Sequence, residues 1–168
     1  MGTIGEDDLE DLRGARLGRD DQAELIEAQT ECTFVFTTEH GWPGGVVMTY
    51  IELEGCFWLT AVDGRGHVRG IESDPRASLV ISNAGTGLSG RRMISFRGTT
   101  IVHRDPGTKA RILRRFAQRH QPGNPEAFVR LLDSPRRVVF QFQPTAVAVS
   151  HDSTRMAGDG RGGGAAQE

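Results

Sequence analysis

The 168-residue chain is 37% hydrophobic and 25% charged, with a formal net charge of −2, which describes one soluble globular domain rather than two. No apolar run approaches the roughly 20 residues that a spanning helix needs, and the start MGTIGEDDLEDLRG lacks the basic and apolar stretches of a secretory signal. The expected compartment is therefore cytoplasmic, with no membrane partner, and Cys32 and Cys56, which form no CxxC pair, read as two reduced thiols rather than a disulfide framework or a zinc site.

In chain order, residues 1–19 hold scattered apolar side chains and read as a mobile acidic extension. Asp20 and Asp21 then make an N-cap for QAELIEAQ, with Leu25, Ile26 and Ala28 facing inward. The folded domain is expected over 20–153, and the Gly-rich remainder, 154–168, has too few apolar residues to offset its ordering entropy and reads as a disordered tail. Six segments rich in β-branched and aromatic residues predict strands: Cys32–Thr38, Gly45–Glu52, Cys56–Val62, Ala77–Asn83, Met93–His103 and Val138–Ser150. The connections EHGWPG, LEG and NAGTGLSGRR carry turn chemistry short enough for antiparallel hairpins. Helices are predicted over Gly66–Ser73, stopping before Asp74-Pro75, and over Pro106–His120, whose apolar face is Ile112, Leu113, Phe116 and Ala117. A further turn or helix is predicted near Pro125–Leu132. Six antiparallel strands with no long covering helix leave open edges unless the sheet curls, so the expected fold is mainly β (α+β), a small six-stranded antiparallel barrel with a few short covering helices.

Charge is unevenly placed along this pattern. Residues 1–31 hold ten acidic and three basic side chains, whereas residues 65–137 hold fifteen basic and five acidic ones, so the middle of the chain is the part that attracts anions. Within it, Arg65, Gly66, His67 and Arg69 gather at the start of a short helix immediately after an apolar strand. Free backbone N–H groups and the positive end of the helix dipole favour a phosphate at such a place, arginine adds a permanently charged bidentate donor, and glycine lets the backbone approach closely.

The order of elements resembles the pyridoxamine 5′-phosphate oxidase-like superfamily, the FMN- and deazaflavin-binding split barrels. The turn TTEHGWPG at 37–44 leads into GVVMTY, then CFWLTA at 56–61, RGHVRGIESDPRASLVIS at 65–82 and FRGTTIVHRD at 96–105. The resemblance covers about residues 22–150, and its most specific piece is the segment of basic residue, short helix and D-P-R-x-S-L. It implies a homodimeric split β-barrel with two cofactors in grooves between protomers. It further implies a cofactor phosphate held by Arg65, His67 and Arg69 with Gly66 and Val68 in the same segment, and a hydroxyl at Thr60 beside it. The flavin-like ring would lie against Val47, Met48 and Thr49 with Ala61 nearby, and Met93 matches a partner-strand position that faces the ring. The sequence departs from the pattern at His67, where lysine is usual, and at Gly70, where asparagine is often found. The Gly-rich tail replaces the substrate-phosphate residues of true pyridoxamine phosphate oxidases, so vitamin B6 oxidation is not expected.

The implied activity is an oxidoreductase using FMN, or alternatively the deazaflavin F420, on a small-molecule substrate. The alternative is a non-catalytic flavin- or haem-binding split barrel serving storage, sensing or stress response. Tyr50 and His40 are the proton-donor candidates, each also readable as strand packing and as an exposed turn residue. His103, His120 and His151 have no partner at ligand spacing, so no metal site is expected. The basic face of the Pro106–His120 helix reads as solvated surface, with no nucleic-acid motif beside it. Trp58 reads as core, and Trp42, in the turn, as a candidate for substrate contact.

Overall fold

A computed structural model describes residues 14–155; most of the acidic extension and nearly all of the Gly-rich tail lie outside them. The strands are β1 (Glu31–Thr37), β2 (Pro43–Leu53), β3 (Cys56–Val62), β4 (Arg76–Ser82), β5 (Arg92–His103) and β6 (Arg137–Asp152). The helices are α1 (Arg19–Ala28), α2 (Gly66–Ser73), α3 (Pro106–His120) and α4 (Pro125–Leu132). The six strands close a barrel in the order β1-β2-β3-β6-β5-β4, the small six-stranded barrel that the strand count and turn chemistry predict. By contact, the described chain divides into two compact units, one of residues 30–80 and 96–147, the other of residues 14–29, 81–95 and 148–155.

The first unit contains the filled interior of the barrel. Alternation along β1 turns Cys32, Phe34 and Phe36 inward, and Phe57, Phe96, Phe140 and Phe142 meet them from β3, β5 and β6. Their rings touch at centroid distances of 5.1 Å (Phe57 with Phe96), 5.6 Å (Phe34 with Phe140) and 6.3 Å (Phe57 with Phe142), the tilted geometries aromatic pairs prefer. Burial in this layer pushes the Cys32 thiol up to about 12, which keeps it protonated and inert. On the outside, Ile51, Trp58 and Val139 bury against Ile112 and Phe116 of α3. The helix thus covers the face on which Trp58 alternates outward, and Arg111 lies over the indole at 5.1 Å. Asp105 caps α3 by accepting from the Thr108 amide at 2.8 Å, and Pro106 takes its first turn. The β2–β3 turn uses Glu54 and Gly55, both at positive φ, the backbone a two-residue hairpin demands. No helix among the described residues is long and apolar enough to cross a membrane.

In the second unit, helix α1 starts one turn earlier than the sequence predicts. Gly18 occupies the N-cap, and its amide donates to the Asp21 carboxylate at 3.1 Å. Only Leu25 of its three predicted inward residues is fully buried; Ile26 is half-buried and Ala28 exposed, because the helix packs through a narrow stripe. Ahead of it Ala15 and Leu17 are buried, the Ala15 carbonyl accepting from the Asp152 amide at 2.6 Å. Arg92 lies between Glu24 at 2.6 Å and the buried Asp152 at 3.1 Å. Asn83 braces the loop before β5, donating to the carbonyls of Leu88 and Gly90 and accepting from the Arg92 amide.

Close approach of β5 to β6 leaves no room for a side chain at residue 98. A Cβ on Gly98 would stand 2.1 Å from the Gln143 carbonyl oxygen and 2.9 Å from the Phe142 ring. Gly98→Ala is expected to destabilise the protein by about 1–3 kcal/mol or more, read as a lower midpoint in urea; an unchanged midpoint would refute the packing described for this strand pair.

Candidate functional site

The barrel is split because β2 changes partners along its length. Its first part, Pro43 to Thr49, pairs with β1 (Thr37↔Pro43 through Glu31↔Thr49), and its second part, Tyr50 to Leu53, pairs with β3 (Tyr50↔Leu59 through Leu53↔Cys56). Beyond Leu59, the residues Thr60, Ala61 and Val62 keep only β6 as a neighbour, in the register Thr60↔Val139, Ala61↔Val138 and Val62↔Arg137. The two strands diverge there and open a groove of about 470 Å³ between them, within the size range of small-molecule sites. Val46, Val47, Met48 and Thr49 form one wall and Thr60, Ala61 and Val62 the other, while Arg65, His67 and Arg137 close one end.

That end is electropositive for a structural reason. Arg69 is held by Glu39 at 3.1 Å, Arg104 by Asp63 at 2.9 Å and by Glu72 at 2.5 Å, and Lys109 faces Asp133 at 3.9 Å. These carboxylates are thereby taken, and among the described residues none lies within ion-pair reach of Arg65 or Arg137. The Arg137 guanidinium is half-buried, and burial together with the like charge of Arg65 pushes it below its usual range, although it remains a cation. Its Nε donates to the Leu132 carbonyl at 2.7 Å, which orients the fork. Arg65 is the N-cap of α2 and makes no side-chain cap bond. Next to it the His67 ring is 8% exposed and meets Phe36 and Phe140 edge-on at 6.1 and 6.0 Å. His67 Nε2 is shut off from solvent with no hydrogen-bond partner. Burial, then the charge of Arg65, lowers its pKa, so the imidazole is neutral at pH 7.

The groove gathers Val47, Met48, Thr49, Thr60, Ala61, Arg65 and His67 out of the candidates that the sequence offers. Gly66 sits beside them at the first position of α2, where a Cβ would meet nothing within 4 Å, and Val68 is fully buried beneath. Arg69 points elsewhere: it clamps Glu39 of the β1–β2 turn and the Gly64 carbonyl, and is not part of the lining. Met93 is half-buried on β5, in the other compact unit, and does not line the groove. Tyr50 is 2% exposed and packs on Phe57, while His40 and Trp42 stand exposed in the turn; none of the three reaches the lining. Arg137 is the lining cation that sequence reasoning misses, and its only signal is the basic pair Arg136-Arg137 at the start of a strand. Gly70, the departure from the family pattern, is explained by packing. A Cβ there would lie 2.5 Å from the Thr37 carbonyl oxygen and 2.7 Å from Phe36, so no asparagine fits.

This architecture defines the class: the chain has the split-barrel fold of the pyridoxamine 5′-phosphate oxidase-like proteins. No family model matches the sequence, and no curated protein does. Among solved structures, the chain is similar to the conserved hypothetical protein Rv2991 from Mycobacterium tuberculosis, with a TM-score of 0.72 at 17% identity over 85% of this chain and 89% of that one. It is also similar to HutZ, a haem storage protein from Vibrio cholerae, with a TM-score of 0.65 at 14% identity over 79% of this chain and 94% of that one. A pyridoxamine 5′-phosphate oxidase-type protein from Listeria innocua gives a TM-score of 0.58 at 16% identity over 76% and 94%. At these identities the likeness is one of fold.

Two histidines packed against aromatic rings make the fold sensitive to acid. His67 and His120 are both held below the ordinary histidine value, chiefly by burial. The unfolded chain therefore binds protons at these sites more readily than the folded one, and their contribution to stability is present above about pH 6.5 and declines as the pH falls through that value. A lower urea midpoint at pH 5.5 than at pH 7.5, with a smaller difference in His67→Gln, is the expected result; equal midpoints at the two pH values would refute it.

Proposed function

We propose that the protein is a flavin-dependent oxidoreductase that holds FMN, or else the deazaflavin F420, in the groove between β2 and β3 and acts on a small organic molecule. The observation that carries this reading is the polarity of the groove: two strand walls at one end, and at the other two arginines that have no carboxylate within ion-pair reach among the described residues. A flat ring on the β2 wall and a phosphate at Arg65 and His67 match those two ends, so the residues fit a phosphate-bearing flavin. Such a group, when bound, supplies hydride transfer, and the protein contributes binding, orientation and exclusion of water. Val47 to Thr49 offer main-chain and side-chain contact to the ring, and Thr60 offers a hydroxyl near the phosphate. In this reading two copies associate, Val47, exposed at 68% on the groove wall, being covered by the second copy. Neither Tyr50 nor His40 is placed to pass a proton to a ligand in the groove.

The second reading, haem binding without catalysis, draws on the likeness to the haem storage protein. Titration of the purified protein with FMN, F420 and haemin, followed by absorbance and ring fluorescence, separates them. Saturable FMN binding near one per chain is expected, with sedimentation as a dimer. Arg65→Ala is expected to weaken it by about 1.5–3 kcal/mol, the value of a charge-assisted hydrogen bond. Faster reoxidation of the reduced flavin by an electrophilic substrate identifies an enzyme. Binding of haemin alone would replace the flavin reading with the storage one.

A further inference from the structure

We infer that His120 is a positioning residue for the groove: its bond to the Tyr50 carbonyl pins β2 at the point where that strand leaves β3, and so fixes how far the two walls stand apart. The claim about the fork stands on geometry alone, and the claim that the fork sets ligand affinity rests on the flavin reading.

The opening of the groove is decided at one residue pair. Tyr50↔Leu59 is the last β2–β3 pair, and one residue earlier Thr49 already pairs with Glu31 of β1. Past that fork the walls share no neighbour: Val46 to Thr49 pair with β1, and Thr60 to Val62 with β6. Continuing the β2–β3 register would pair Thr49 with Thr60 and Met48 with Ala61, and would shut the groove. An open groove therefore needs β2 held toward β1 at Tyr50. The Tyr50 amide does part of this, donating to the Thr30 carbonyl at 3.1 Å. In an extended strand the N–H and C=O of one residue point to the same edge, so the Tyr50 carbonyl also faces the β1 side. There it accepts from His120 Nε2 at 3.1 Å.

His120 belongs to neither wall. It is the last residue of α3, and its half-buried ring lies 5.5 Å from that of Phe116. Phe116 and Ile112 pack on Ile51, the residue after Tyr50, in the cluster that also holds Trp58 and Val139. The helix thus grips β2 at two adjacent residues, once through the Ile51 side chain and once through the Tyr50 main chain. At pH 7 the ring is neutral, its pKa lowered chiefly by burial, and a bond to a carbonyl oxygen requires the proton on Nε2. Every residue in this arrangement lies in the first compact unit.

Two variants separate the bond from the packing. His120→Phe keeps a ring against Phe116 and removes the donor, whereas His120→Gln keeps a donor and removes the ring. By NMR, the Tyr50 amide of His120→Phe is expected to exchange with solvent roughly tenfold faster, while the amides of Phe34 and Phe140 change less than about twofold. His120→Gln is expected to bring Tyr50 exchange back to within about threefold of the wild-type rate. FMN and riboflavin, which is FMN without its phosphate, are both expected to bind His120→Phe roughly 5- to 10-fold more weakly. Their ratio is expected to stay unchanged, because the fork lies at the end of the groove away from Arg65. If Tyr50 exchange is unchanged in His120→Phe, rises equally throughout the barrel, or is not restored in His120→Gln, the pin is overturned. If it rises at Tyr50 while both flavins bind as before, the positioning role is overturned and the flavin reading stands. If neither flavin binds the wild-type protein, the flavin reading falls and amide exchange alone decides the fork. Should His120→Phe fail to fold, the ring nitrogen shifts of wild-type His120 decide: a proton on Nε2 at pH 7.5 supports the pin, and a proton on Nδ1 overturns it.

Discussion

A barrel of six strands has little interior space, and here six phenylalanines fill it. Phe34, Phe36, Phe57, Phe96, Phe140 and Phe142 are all buried, and several of their rings are in direct contact. Rings in contact at this spacing make a packed core. The same packing holds β1, β3, β5 and β6 in place, and that constrains β2. With its inner residues committed to β1 over one half and to β3 over the other, β2 must leave β3 at Leu59. The groove is the consequence of that departure, and it lies outside the packed core.

Charge completes the site by omission. The protein has slightly more acidic than basic residues, yet Glu39, Asp63, Glu72 and Asp133 are engaged by Arg69, Arg104 and Lys109. These surface pairs contribute little stability individually. Their larger effect is to leave Arg65 and Arg137 uncompensated, which keeps an anion-attracting end beside two strand walls. His67 fits this arrangement where a lysine would add a third charge. Enclosed between Phe36 and Phe140, its ring is neutral, and a fully charged ammonium in that aromatic setting would lose its hydration.

Much of the fold is legible in the amino-acid sequence. All six strands lie within two residues of their predicted bounds, and α2, α3 and α4 match theirs, because β-branched alternation, the Glu54-Gly55 turn, the Asp105-Pro106 cap and the stop at Asp74-Pro75 are local signals. The start of α1 is displaced by a turn because glycine at the cap, with Asp21 reaching back to its amide, carries a weaker signal than Asp20 itself. The site is legible in part. Seven of the candidate residues line the groove, since Val47 to Thr49, Thr60 to Ala61 and Arg65 to His67 are short runs on elements with clear local signals. Arg69 departs from the expectation because sequence proximity to Arg65 says nothing of Glu39, thirty residues away, which draws it off.

Local sequence is enough to specify the set of elements, the aromatic supply for the core and the concentration of basic residues in the middle of the chain, for each depends on neighbours a few positions apart. Which arginines stay free, and that β6 delivers Arg137 to the end of β3, emerge only once the chain has folded. Those outcomes depend on the pairing of strands 75 residues apart and on the competition among many surface charges for few partners. Neither leaves a periodic trace along the chain, because the register of a long-range strand pair is set by the packing of the whole core.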